Sequence, residues 1–197
     1  MPSNEENKQL PPGQRPIKRL MRWGIDHPGI TSKNPKIDLE KWTLVVNGEV
    51  RNPLKLTWDD LLKLPRVVSV SDFHCVEGWS VLDCEWEGVR FREIVDLVKP
   101  KENARFVTFE CADGYKTSLT LEELSAEDVL LAYKLDGRDL EEGLGWPLRL
   151  IVPDKYGYKS ALWVTRIKFT LRKELGYWEV RGYSDTADVW KNDRFTK

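Results

Sequence analysis

Histidine is scarce in this chain of 197 residues, with only His27 and His74, and cysteine is limited to Cys75, Cys84 and Cys111. Two histidines exclude a metal centre built on several imidazoles. An odd set of cysteines without framework spacing excludes a disulfide-stapled secreted module and leaves at least one thiol free. Charge of one sign is also missing. With 31 Lys and Arg against 32 Asp and Glu, the formal net charge is −1, so no global field draws the chain to nucleic acid or a membrane surface. No apolar run is long enough for a membrane span, and residues 1–13 are polar and proline-bearing, unlike a secretory signal. These absences predict a cytoplasmic protein with no nucleic-acid partner and no membrane span.

What is present is enough apolar content, 41% with nine Trp, for one sizeable core, on a length that favours one domain with arms. Residues 1–40 are poor in apolar positions and carry Pro2, Pro11, Pro12, Pro16, Pro28 and Pro35, which predicts an extended N-terminal arm on a domain spanning 41–197. Residues 42–46 read as a strand, and Asn47-Gly48 as a hairpin turn into Glu49-Val50. Thr57-x-x-Asp60 predicts a capping box opening a short helix over 58–64, ended by Pro65. Residues 67–73 are a β-branched strand, and 91–98 have helical spacing that stops at Pro100. Residues 105–111 and 115–119 form a hairpin about Asp113-Gly114, and Thr120-x-x-Glu123 predicts a second capped helix. Further strands are expected over 129–135, 148–152 and from Trp163 to Leu171. Many short strands with few short helices, in no regular alternation, define an α+β fold of mixed β-sheets.

Charge is unevenly spread although it cancels. Over 122–142 the acids Glu122, Glu123, Glu127, Asp128, Asp136, Asp139, Glu141 and Glu142 meet only Lys134 and Arg138. Over 149–173 the bases Arg149, Lys155, Lys159, Arg166, Lys168, Arg172 and Lys173 meet only Asp154. Charge counting alone favours reading this basic stretch as a solvated strand face, with a local anion site as the alternative. Cys75 follows a strand and precedes Gly78, so its thiol is either a soft ligand or nucleophile facing a pocket, or a packed inert cysteine. A zinc site gathering the three cysteines and one histidine has no C-x2-C pair to start it. A Cys–His pair would need His74, which points away from Cys75 on a strand, or His27 from the arm.

Four separated runs carry a resemblance: Asp72-Phe73-His74-Cys75-Val76-Glu77-Gly78-Trp79-Ser80, Trp86-Glu87-Gly88-Val89, Pro147-Leu148-Arg149-Leu150-Ile151-Val152-Pro153 and Tyr156-Gly157-Tyr158-Lys159-Ser160-Ala161-Leu162-Trp163. In this order they resemble the sulfite oxidase family, and more closely the prokaryotic molybdopterin-binding oxidoreductases of that superfamily. The similarity runs from about Trp42 to Phe195 and includes Gly176-Tyr177-Trp178-Glu179-Val180-Arg181-Gly182-Tyr183.

The resemblance implies the sulfite oxidase molybdopterin-binding catalytic domain, with molybdenum held by molybdopterin carrying a phosphate or an extended nucleotide. Cys75 matches the only protein ligand to the metal and is thereby the catalytic residue, while its neighbour His74 is carried over as cofactor-binding. Soft thiolate ligation suits a redox metal and needs no histidine cluster. Arg149, Lys159 and Ser160 match the groups that hold the anionic pterin, with Ala161 and Leu162 backbone nearby; a guanidinium fork suits an oxyanion. Arg22, in Arg22-Trp23-Gly24, matches a segment at the pterin's far edge, and Cys111 falls near a small residue beside the pterin. The chain departs from many relatives in carrying Leu144, where His or Asn contacts the pterin, and Leu162, where lysine is common.

The implied activity is molybdenum-cofactor-dependent oxidoreduction of the sulfite oxidase type, an oxygen-atom or two-electron transfer at a small-molecule substrate. Two alternatives stand beside it: S-oxide reduction on the same fold, and non-catalytic molybdopterin binding. Arg22, Arg51, Arg181 and Arg194 are available to bind a dianion, and Trp79, Trp178 and Tyr183 to wall a pocket. Animal sulfite oxidases carry a haem domain and a trailing immunoglobulin-like domain that have no counterpart here, which predicts a separate electron-transfer partner, a cytochrome or another carrier.

Overall fold

A computed structural model describes residues 8–31 and 34–196; residues 1–7 of the expected arm, with 32, 33 and 197, lie outside the described residues. The chain runs β1 (Arg15–Pro16), β2 (Thr43–Gly48), β3 (Leu54–Thr57), α1 (Trp58–Leu62), β4 (Arg66–His74), β5 (Trp79–Arg90), α2 (Phe91–Val98), β6 (Phe106–Cys111), β7 (Lys116–Thr120), β8 (Leu130–Leu135), β9 (Arg138–Asp139), β10 (Arg149–Ile151) and β11 (Val164–Thr170), with short 3-10 turns between. One sheet has the order β1-β5-β8-β10, with β4 also on β5 and β9 on β8. The other has the order β3-β2-β11-β6-β7. Among the described residues no helix is long and apolar enough to cross a membrane.

The apolar run of β8 follows from its place between two cores. Leu131 and Tyr133 point into the large core shared with the second sheet and α2. Leu130 and Ala132 point the other way, into a smaller core with Phe73, Trp86 and Leu144. Successive strand side chains face opposite sides, so a strand covered on both faces must be apolar throughout. The arm supplies the outer cover. Ile17, Leu20 and Met21 pack on the smaller core, and β1 pairs in parallel with Trp79 and Ser80 of β5.

Local signals and structure agree where the chemistry is local. At α1, Thr57 Oγ1 accepts from the Asp60 amide and the Asp60 carboxylate accepts from the Thr57 amide, both at 3.2 Å. The Thr120–Glu123 box forms the same reciprocal bonds but opens only the 3-10 turn Glu123–Ser125 rather than a helix. Asn47-Gly48 does not turn the chain. Both residues continue β2, and β2 meets β3 only after a loop, with Val46 opposite Leu54. Gly48 is needed because β11 passes close by: a Cβ there would lie 2.1 Å from the Phe169 carbonyl oxygen. β5 had no counterpart among the expected strands, although Cys84-Glu85-Trp86-Glu87 alternates buried with exposed or half-buried.

Candidate functional site

The C-terminal end of β4 delivers Cys75 into a tight loop that returns as β5. The Cys75 amide donates to Trp79 O at 2.8 Å, and the Gly78 amide donates back to Cys75 O at 3.0 Å. Gly78 turns the loop with φ +92°, a conformation open to glycine at little cost. Cys75 Sγ lies 3.9 Å from Glu77 Oε2, and burial pushes its thiol up to about 12.

A cleft of about 840 Å³, its open mouth included, lies beside Cys75. Ser160, Ala161 and Leu162 line one side, and aromatic rings of Trp23, Tyr115, Tyr158, Trp178 and Tyr183 supply much of the wall. The titratable chains reaching it besides Cys75 and the tyrosines are His27, Glu77 and Asp113. Among the described residues that line it there is no lysine or arginine.

The arm brings His27 across to Glu77. His27 Nε2 lies 2.9 Å from Glu77 Oε1, and Nδ1 lies 2.8 Å from Pro28 O. Both ring nitrogens face oxygens, and Pro28 O can only accept, so a proton is shared between Nε2 and Oε1. Burial alone would raise Glu77, but hydrogen bonds from His27 and Trp79 hold it below its ordinary value.

Of the residues singled out from the sequence, Cys75, Ser160, Ala161 and Leu162 meet at this cleft. Arg149 stands behind its wall. The guanidinium is buried, lies 5.2 Å from the ring centroids of both Phe73 and Trp86, donates Nη1 to Leu144 O at 3.0 Å, and leaves Nε without a partner. Burial pushes its pKa down to about 9.

Four sequence candidates go elsewhere. Lys159 turns into a buried ion pair with Glu179 and donates to Ser118 O at 3.0 Å, so its charge is already matched. His74 points to the opposite side of its strand, Nδ1 meeting Ser80 Oγ at 2.7 Å. Gln14 fixes that bond's direction: Nε2 donates to Cys75 O, so Oε1 accepts from Ser80 and His74 must donate. Cys111 belongs to the large core, and Asp113 and Tyr115 reach the cleft from its hairpin instead. Arg22 pairs with Asp26 and Glu141, and its neighbour Trp23 lines the cleft.

Trp178 and Tyr183 line the cleft as the sequence allowed, whereas Trp79 is core. Sequence reasoning missed Glu77 and His27 as a pair and Glu179 as the partner of Lys159. Glu77 was legible within the Cys75 motif; the other two needed the fold. Among the described residues no group of three or more His, Cys, Asp or Glu could hold a metal ion, so the three-cysteine zinc arrangement is not assembled.

Residues 31–178 match the family model described as the oxidoreductase molybdopterin binding domain. The chain belongs to this family. It is 42% identical over 159 residues to the uncharacterized oxidoreductase YuiH of Bacillus subtilis (strain 168), covering 81% of this chain and 80% of that one. It is 31% identical over 157 residues to the protein-methionine-sulfoxide reductase catalytic subunit MsrP of Campylobacter jejuni, covering 71% of this chain and 52% of MsrP. The fold is similar to that of the sulfane dehydrogenase SoxCD from Paracoccus pantotrophus, with TM-score 0.67 and 23% identity over 75% of this chain and 42% of that one. This molybdopterin-binding oxidoreductase thus has the fold of the sulfite oxidase superfamily and takes molybdopterin-bound molybdenum as cofactor.

The residues of the cleft fit that group. A soft sulfur donor opens on it, and behind the wall stands the buried Arg149 guanidinium, bonded to a backbone carbonyl and with its Nε donor unpartnered. A cation buried this way is costly unless an anion accompanies it, and a pterin phosphate is such an anion.

Proposed function

We propose that this oxidoreductase reduces a neutral S-oxide, of the methionine sulfoxide class, to the thioether. The observation that carries this reading is the cleft's lining: aromatic and acidic, without a lysine or arginine among the described residues. The His27–Glu77 pair with its shared proton is neutral as a whole, so a sulfite dianion would meet Asp113 and no lysine or arginine on the lining, which disfavours binding. A sulfoxide carries no net charge, and its alkyl groups suit aromatic walls. The name of MsrP supports the same substrate class.

In the net reaction the sulfoxide takes up two electrons and two protons, its sulfur–oxygen bond breaks, and the thioether and one water are released. The bound molybdenum cofactor supplies the two-electron and oxygen-accepting chemistry. Cys75 Sγ would be the protein's ligand to the metal, Ser160 and the backbone of Ala161 and Leu162 would hold the pterin, and Arg149, buried behind the wall, would offset its negative charge. Trp178 and Tyr183 line the cleft and offer aromatic faces to the substrate's alkyl groups. The proton held between His27 Nε2 and Glu77 Oε1 is one of the two that the departing oxygen takes up, and the second comes from solvent. Electrons arrive from a separate reduced carrier, and the reading includes a cytoplasmic location, supported by three free cysteines.

The test is steady-state kinetics of the molybdenum-loaded protein with an artificial carrier. Saturable reduction of methionine sulfoxide, with no sulfite oxidation, is expected; sulfite turnover without sulfoxide turnover would overturn the reading. Cys75→Ser is expected to fold with the wild-type far-ultraviolet spectrum and to lose bound molybdenum in elemental analysis.

A further inference from the structure

The loop that carries Cys75 is held by both distant ends of the described chain. From the arm, Gln14 Nε2 donates to Cys75 O at 3.1 Å and the Arg15 amide donates to Gly78 O at 3.0 Å. From the tail, Arg194 Nη1 donates to Val76 O at 2.5 Å and Nη2 donates to Gly13 O at 3.1 Å. One guanidinium therefore joins three segments: the arm, the cysteine loop and the tail.

Arg194 is itself aimed. Its Nε donates to Asn192 Oδ1 at 2.7 Å, the same oxygen that accepts from Tyr156 OH at 3.1 Å. Its guanidinium carbon stands 5.4 Å from the Tyr156 ring centroid. The approach is close at two glycines, both at positive φ. A Cβ on Gly13 would lie 2.8 Å from Arg194 Nη2, and one on Gly78 would lie 3.0 Å from Gly13 O. The sequence offered Arg194 as a dianion-binding arginine; it is absent from the cleft lining and faces the loop's backbone instead.

We propose that Arg194 is a positioning residue that fixes the Cys75 loop, and with it the direction of Cys75 Sγ into the cleft. The proposal rests on the reading of Cys75 as the metal's ligand for its importance to catalysis, but not for its test. A planar fork suits the task because two carbonyls in two segments each take one donor at a fixed angle. Without it, the Val76 carbonyl loses a charge-assisted bond and the loop opens more often.

The experiment uses cofactor-free protein and measures the rate at which iodoacetamide alkylates each cysteine, resolved by peptide mass mapping. Cys84 and Cys111, both buried, serve as internal controls. Arg194→Ala is expected to speed alkylation of Cys75 about tenfold, the factor that one lost charge-assisted hydrogen bond gives to a local opening, and to leave the controls unchanged. Removing a cation near a thiol raises its pKa and slows alkylation, so the sign separates loosening from lost charge.

Arg194→Lys keeps the charge without the fork and is expected to leave Cys75 nearly as reactive as the alanine variant. An unchanged or slower Cys75, a joint rise of all three cysteines, or a lysine variant as protected as wild type would each overturn the proposal. If Arg194→Ala does not give the wild-type far-ultraviolet spectrum, Arg194→Gln decides by the same outcomes. Loss of molybdenum binding in Cys75→Ser is read separately, so failure of the ligand assignment and failure of the positioning role are distinguishable.

Discussion

Lys159 and Glu179 are joined with both side chains only 1% exposed, and Thr117 Oγ1 adds a 2.7 Å bond to the same carboxylate oxygen. Burial pulls the lysine below its ordinary value while the glutamate beside it pushes the other way. Lys159→Met would leave the Glu179 carboxylate buried without its partner, and urea unfolding should register a loss of about 3–5 kcal/mol. The double variant Lys159→Met, Glu179→Leu should recover most of that loss, because no charge is then stranded. The consequence reaches the cleft, since Glu179 follows Trp178 directly. In the sequence Lys159 was one base in a basic stretch. Its role depended on a carboxylate twenty positions away, a pairing that local spacing does not encode.

At the level of elements, the second capping box shows how a local motif acquires a tertiary duty. Glu123 Oε2 takes the Thr120 amide at 2.9 Å, and Oε1 takes Lys155 Nζ at 2.6 Å. Burial would raise this carboxyl, but Lys155 and Thr120 outweigh it and hold it below its ordinary value of 4.5. A depressed carboxyl stabilises the fold above the unfolded pKa and loses that contribution as pH falls through the folded pKa. Thermal melts from about pH 7 downward should therefore show Glu123→Gln with a smaller fall in Tm below 4.5 than wild type.

Glycines separate two costs at the same scale. A Cβ on Gly88 would lie 2.2 Å from the Leu131 carbonyl oxygen of the neighbouring strand, so Gly88→Ala forces β5 and β8 apart, at about 3 kcal/mol, the upper end of overpacking. Gly114, at φ +85° with nothing within 4 Å, carries backbone strain alone, and Gly114→Ala should cost about 1–2 kcal/mol in the same urea measurement. The hairpin at Gly114 was legible because a turn is a local geometry. The loop replacing the expected Asn47-Gly48 turn was not, because β11 decides it.

For the molecule as a whole, the near-neutral total charge and the uncharged substrate we propose make one kinetic expectation. Surface charge has no net handle on a neutral sulfoxide. Its kcat/KM should change by less than about twofold when ionic strength rises from about 20 to about 200 mM, a range over which screening would alter a charged ligand's capture. A steep fall would point to an anionic substrate. The arm belongs to this scale too. It covers the smaller core, pairs with β5, and brings His27 to Glu77, so a segment with little apolar content completes the cleft.

The sequence by itself determined what depends on near neighbours: the two capping boxes, the strand and helix periods, the loop motif from Cys75 to Ser80, and an order of motifs specific enough to imply the fold and cofactor. These are set by side chains a few positions apart, whose geometry one backbone conformation fixes. Tertiary structure alone decided which of the chemically apt residues face the cleft. His27 meets Glu77, Glu179 claims Lys159, and Arg194 grips the cysteine loop and the arm. Each of these contacts joins parts of the chain that the sheets bring together, and burial then selects the partner, because a charge withdrawn from water must find its counterpart where the fold has put one.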